Sequence, residues 1–88
     1  MEKDVQKEIT KYLEGEGFYV VKVIKANKSG VPDLLACGND GKFYGIEVKD
    51  TGKKKNVTKL QLLHIQKINE SGGVAFVADC INDVKEQL

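Results

Sequence analysis

Eighty-eight residues carrying a formal net charge of +1, with 31% of side chains charged, describe one small globular domain that is short of core if it stands alone. No run of about 18 apolar residues is present, which excludes a membrane-spanning helix, and the charged N-terminus lacks the apolar segment of a secretory signal. Cys37 and Cys80 lie far apart without CxxC spacing, so they fit two buried, reduced thiols of a cytoplasmic protein better than a disulfide or a metal clip.

Residues Glu2 to Glu14 read as a helix, because Val5, Ile9, Tyr12 and Leu13 recur at helical spacing, and Gly15 and Gly17 end it. Glu8 lies about 40° from Tyr12 on the helical wheel, at the edge of the apolar stripe. It is either a rim residue in water or an acid directed at a site. Phe18 to Ile24 reads as a strand of β-branched and aromatic residues, and Ala26 to Gly30 as a loop. Pro32 forces Val31 into an extended conformation and has no N–H for a ladder, so the next strand starts at Asp33. Leu34-Leu35-Ala36-Cys37 is a continuous apolar run, as expected of a strand buried on both faces. Asn39-Asp40-Gly41 turns it into a hairpin with Phe43 to Val48.

In that second strand Tyr44, Ile46 and Val48 share one face, and Phe43, Gly45, Glu47 and Lys49 the other. Glu47 and Lys49 therefore stand about 7 Å apart on one face. Asp33, opening the adjacent strand, can reach the same spot. Two acids and one lysine on neighbouring strands make a divalent-metal site with a cation beside it.

Gly52 to Asn56 is a basic loop. Thr58 to Glu70 reads as a helix opened by a capping box of Thr58 and Gln61. Its apolar residues Leu60, Leu62, Leu63, Ile65 and Ile68 spread over several faces, which points to a sandwiched helix or to one shared with a second copy. Gln61 is then either the capping partner alone or a polar group aimed at the acids. His64, the single histidine, has no partner at zinc-ligand spacing. Val74 to Ala78 is a last strand and Ile81 to Leu88 a terminal helix. The order αβββαβα predicts a mixed central sheet flanked by helices. Near-neutral net charge predicts no polyanion partner, but its distribution does more. Lys22, Lys25 and Lys28 precede the Pro-Asp pair, and Lys53, Lys54, Lys55 and Lys59 follow Lys49. They form either a phosphate-binding surface around the acids or an ordinary solvated loop.

Pro32-Asp33, thirteen intervening residues and then Glu47-Val48-Lys49 resemble the PD-(D/E)xK nuclease superfamily. With the acid on the first helix, Gly30-Val31 before the Pro-Asp pair, Gly45-Ile46 before Glu47, and Gln61, the whole chain is similar to the virus-type replication-repair nuclease (VRR-NUC) family. It is most like the stand-alone members of phages and bacteria, and related Holliday-junction resolvases share the layout. The resemblance implies a restriction-endonuclease-like αβββαβ core and Asp33 and Glu47 as metal-ligating carboxylates. It also implies the Val48 carbonyl as a further ligand, Lys49 beside the attacking water, Gln61 as the motif glutamine, and Glu8 as an acid binding metal through water. The implied cofactor is Mg²⁺, or Mn²⁺. The implied activity is a homodimeric endonuclease on branched DNA such as four-way junctions. Placement of charge around the acids, rather than a family motif, makes Lys28, Ser29, Lys53, Lys54, Lys55 and Lys59 the candidate nucleic-acid contacts. A restriction-type or flap nuclease is the alternative enzyme, and a non-catalytic nucleic-acid-binding module the alternative outside enzymes.

Overall fold

Val5, Ile9 and Leu13 recur every fourth residue, so α1 (Glu2–Gly15) has one apolar face, and all three are buried in the computed structural model, which describes residues 1–88. The chain continues through β1 (Tyr19–Lys22), β2 (Leu34–Cys37) and β3 (Phe43–Val48) to a 3₁₀ turn at Lys54–Asn56. There follow α2 (Lys59–Glu70), β4 (Val74–Ala78) and α3 (Ile81–Lys85). The expected order of elements is the observed one. Both β1 and α3 are shorter than their sequence patterns, because Ile24 and the last residues run exposed beyond the sheet and helix.

One sheet of four strands runs β1-β2-β3-β4, with β1, β2 and β3 antiparallel in turn and β4 parallel to β3. Alternation sends Leu34 and Ala36 of β2, and Tyr44, Ile46 and Val48 of β3, to the face that α1 covers. There they meet Val5, Ile9, Leu13, Ala78 and Val84 in the single apolar core, with α3 closing the β4 side.

The opposite face is covered only in part. α2 packs over β3 and β4, and glycine makes that approach possible: a Cβ at Gly45 would lie 2.8 Å from Cδ1 of Ile68. Asn69 fixes the helix end to the sheet, accepting from the Ala75 N–H at 2.8 Å and donating to the Ala75 carbonyl at 3.1 Å. Over β1 and β2 no helix lies on this face. Tyr19 is 72% exposed there, Leu35 is half-buried and Cys37 exposed. Two expectations are corrected by that geometry. β2 is buried on one face only, and Cys37 and Cys80 are not two buried thiols, since Cys37 is exposed and Cys80 half-buried. α2 also keeps Leu60, Leu62 and Leu63 in water and buries only Ile65 fully. No helix of the structure is long and apolar enough to cross a membrane.

Candidate active site

The site begins where the β2–β3 ladder stops. Leu34 pairs with Ile46, so the same register sets Pro32 opposite Val48. A proline has no N–H to give the Val48 carbonyl, and the pair cannot close. The Asp33 side chain stands in for the Pro32 carbonyl as acceptor: its Oδ2 accepts from the Val48 N–H at 2.9 Å. The Pro-Asp pair thus opens the ladder, frees a carbonyl and brings a carboxylate to it.

Glu47, next along β3, faces α2 and is 3% exposed. Its Oε2 accepts from Gln61 Nε2 at 3.0 Å and lies 3.7 Å from Lys49 Nζ. Its Oε1 is buried and has no partner. Burial, then the charge of the neighbouring Asp33 carboxylate, push the Glu47 carboxyl from an ordinary 4.5 up to about 8, against the opposing pull of Lys49. Once that proton leaves, an anionic oxygen with no donor in a dry place is costly unless a cation meets it. Two carboxylates, one of them with an oxygen that has no partner, and the Val48 carbonyl form a hard-oxygen set of the kind that Mg²⁺ or Mn²⁺ takes.

Gln61 answers the sequence alternatives by doing both tasks. Its Oε1 accepts from the Thr58 N–H at 2.9 Å, while Thr58 Oγ1 accepts from the Gln61 N–H at 3.1 Å, which closes the capping box. Its Nε2 holds Glu47. One amide therefore sets the start of α2 and the rotamer of an acid.

The structure brings Asp33, Glu47, Val48, Lys49 and Gln61 together, and leaves Glu8 apart. Glu8 is exposed and makes no hydrogen bond or ion pair with the site. The α1 residue whose charge reaches Glu47 is Glu2. The N-terminal end of α1 abuts the end of β3, with the Met1 amino group 3.4 Å from Asp50 Oδ1. Glu8, six residues on, lies about 9 Å further along the helix axis. Gln6, four residues after Glu2 and so near it on the helix, is buried with an unpartnered Oε1. Neither residue stands out from periodicity. A polar Gln6 beside Val5, inside the apolar stripe, was the available signal.

The basic loop is divided. Lys54 Nζ lies 2.6 Å from Asp83 Oδ1, and its N–H donates to Asp79 Oδ2 at 3.2 Å, so this lysine ties the loop to the start of α3. Burial works to raise the Asp83 carboxyl, but hydrogen bonds from Lys54 and the Asp79 N–H hold it below the usual carboxylate range. Asp79, Cys80 and Asp83 do form a compact group of potential metal ligands, but both Asp83 oxygens and Asp79 Oδ2 already have donors. Lys53, Lys55 and Lys59 are exposed. Lys28 and Ser29 line a different feature, a groove of about 670 Å³ between their loop and α2, with His64 and Phe43.

Fold and site together define an α/β domain of the VRR-NUC kind. A solved structure described as a VRR_NUC domain is 28% identical to this chain, with a TM-score of 0.76 over 97% of this chain and 90% of that one. The family model for the archaeal Holliday junction resolvases (Hjc) matches residues 2–86, and the chain belongs to that family. No curated protein matches it.

Proposed function

We propose that this chain is a Mg²⁺-dependent endonuclease that hydrolyses phosphodiester bonds in branched DNA such as four-way junctions, working as a homodimer in a reducing cytoplasm. The observation that carries the reading is the buried, unpartnered Oε1 of Glu47 beside Asp33 and Lys49. Membership of the resolvase family supports the branched substrate. Asp33, Glu47 and the Val48 carbonyl would hold the ion. When bound, it supplies a more acidic water and a Lewis acid for the phosphoryl oxygen.

The chain's own residues do the rest. Lys49, 14% exposed at its side chain, holds an ammonium at the acids, where it offsets phosphate charge and orients the attacking water. Gln61 keeps Glu47 from swinging away, and the Val48 N–H does the same for Asp33. A two-fold dimer presents two such sites, which suits paired cuts on a symmetric junction.

The test is a panel of labelled linear, flap, fork and four-way substrates, with Mg²⁺ and with chelator. Nicking of the four-way substrate in Mg²⁺ alone is expected, and Lys49→Ala should retain junction binding while losing at least 100-fold in rate. Preference for flap or linear DNA would move the chain to the alternative nucleases. Junction binding with no metal-dependent nicking would make it a binding module.

A further inference from the structure

The half of the sheet that α2 leaves bare and the flank of α2 beside it form one continuous trough. A hollow of about 240 Å³ lies over β1 and β2, lined by Tyr19, Val21, Leu35, Cys37 and their neighbours, with no charged residue among them. Phe43 belongs both to this hollow and to the groove of about 670 Å³ along α2. The two halves of the trough answer each other's deficit. Each copy lacks a helix over β1 and β2, and carries one whose Leu60, Leu62 and Leu63 lie in water. A two-fold axis that lays the α2 of each copy over the bare half of the other satisfies both.

His64 stands in the wall of that trough, half-buried, and Gly30 seats the β1–β2 loop against it. A Cβ at Gly30 would lie 3.2 Å from His64 Cδ2 and 2.6 Å from Leu60 Cγ. The charged groups around the imidazole are of one sign. Lys28 comes from the loop and Lys67 from the next turn of α2, and neither makes an ion pair. β3 presents Phe43, and the segment after α2 presents Ser71 and Gly73. Glu70, the only acid of α2, lies at its far end and accepts from Gln66. On the sheet half that a second copy brings, Tyr19 and Cys37 are the titratable groups, and each is neutral when protonated. A neutral imidazole is covered there at little cost. An imidazolium would enter apolar surroundings beside two lysines and no acid, which weakens the pairing. We infer that the trough is a self-docking surface governed by the charge of His64, closed by a second copy when the ring is neutral and released when it is protonated.

The inference rests on the homodimer of the nuclease reading, and its test separates the two. Dissociation constants are measured by sedimentation equilibrium in chelator at pH 8, 7 and 5.5 for the parent, His64→Gln and Val21→Glu, with circular dichroism checking the fold at each pH. The parent should dimerise at pH 8 and weaken at least about 10-fold by pH 5.5, because each dimer must keep two protons out, whereas His64→Gln should change less than about 2-fold. Val21→Glu, which puts a charge on the bare half, should be folded and monomeric at pH 8. A parent whose affinity ignores pH, or follows it no more than His64→Gln does, overturns the switch and leaves the homodimer standing. A folded Val21→Glu that pairs as the parent does overturns the trough as the docking surface. A parent that is monomeric at pH 8 overturns the homodimer and the switch together.

Discussion

Glu47 is where the folded state is most sensitive to protons. Its carboxyl is raised from 4.5 to about 8, first by burial and then by Asp33. Between those values the folded chain holds a proton that the unfolded chain has released. The stabilisation is therefore complete below about pH 4.5 and is lost as pH climbs to about 8. Metal-free thermal melts should show Tm falling from pH 5 to pH 8, and Glu47→Gln should be nearly flat over that window. A cation needs the deprotonated acid, so added Mg²⁺ should raise Tm more at pH 8 than at pH 5.5. Equal Mg²⁺ effects at both values would remove Glu47 from the ligand set.

At the scale of the element, α2 couples helix capping to the acids through the two ends of the Gln61 amide. Gln61→Glu separates them. A carboxylate still accepts from the Thr58 N–H, but it has no donor for Glu47 and adds a like charge beside it. Its melting at pH 5 should stay within about 1 kcal/mol of the parent, while its cleavage profile shifts to higher pH. Gln61→Ala should lose about 1 kcal/mol of stability as well. Coinciding pH profiles for Gln61→Glu and the parent would show that the amide does not govern Glu47. Much of this was legible in the letters. Periodicity gave α1, the Thr58–Gln61 capping box marked the start of α2, the Asn39-Asp40-Gly41 turn gave the hairpin, and alternation put Glu47 and Lys49 on one face. What escaped were facts of assembly. The exposure of Cys37 and Leu35 depends on which half of a sheet α2 reaches. That Glu2 and not Glu8 bears on Glu47 depends on which end of α1 meets β3. The Asp83 partner of Lys54 comes from 29 residues away, beyond any local pattern.

For the molecule as a whole, the sheet face bare of α2 and the exposed leucines of that helix leave Tyr19, Val21, Phe43, Leu60, Leu62 and Leu63 in water. A 9.7 kDa chain with so much apolar surface would gain core in the proposed homodimer. Sedimentation equilibrium at micromolar concentration should give twice the chain mass, and Leu63→Glu should give a folded monomer. Only monomer mass for the parent would count against the homodimer. The break in the ladder at Pro32 carries a last implication. Register is counted from the turn at residues 38–42, closed by the Gly38 N–H to the Lys42 carbonyl and by Asp40 on the Lys42 N–H. That solvent-exposed bend is about 17 Å from the acids, five strand steps away. A single residue inserted there would slide β3 by one place, carry the proline past its opposite number and turn Glu47 toward α1. The chemistry is thus indexed from the far end of the hairpin, by a bend that touches none of it.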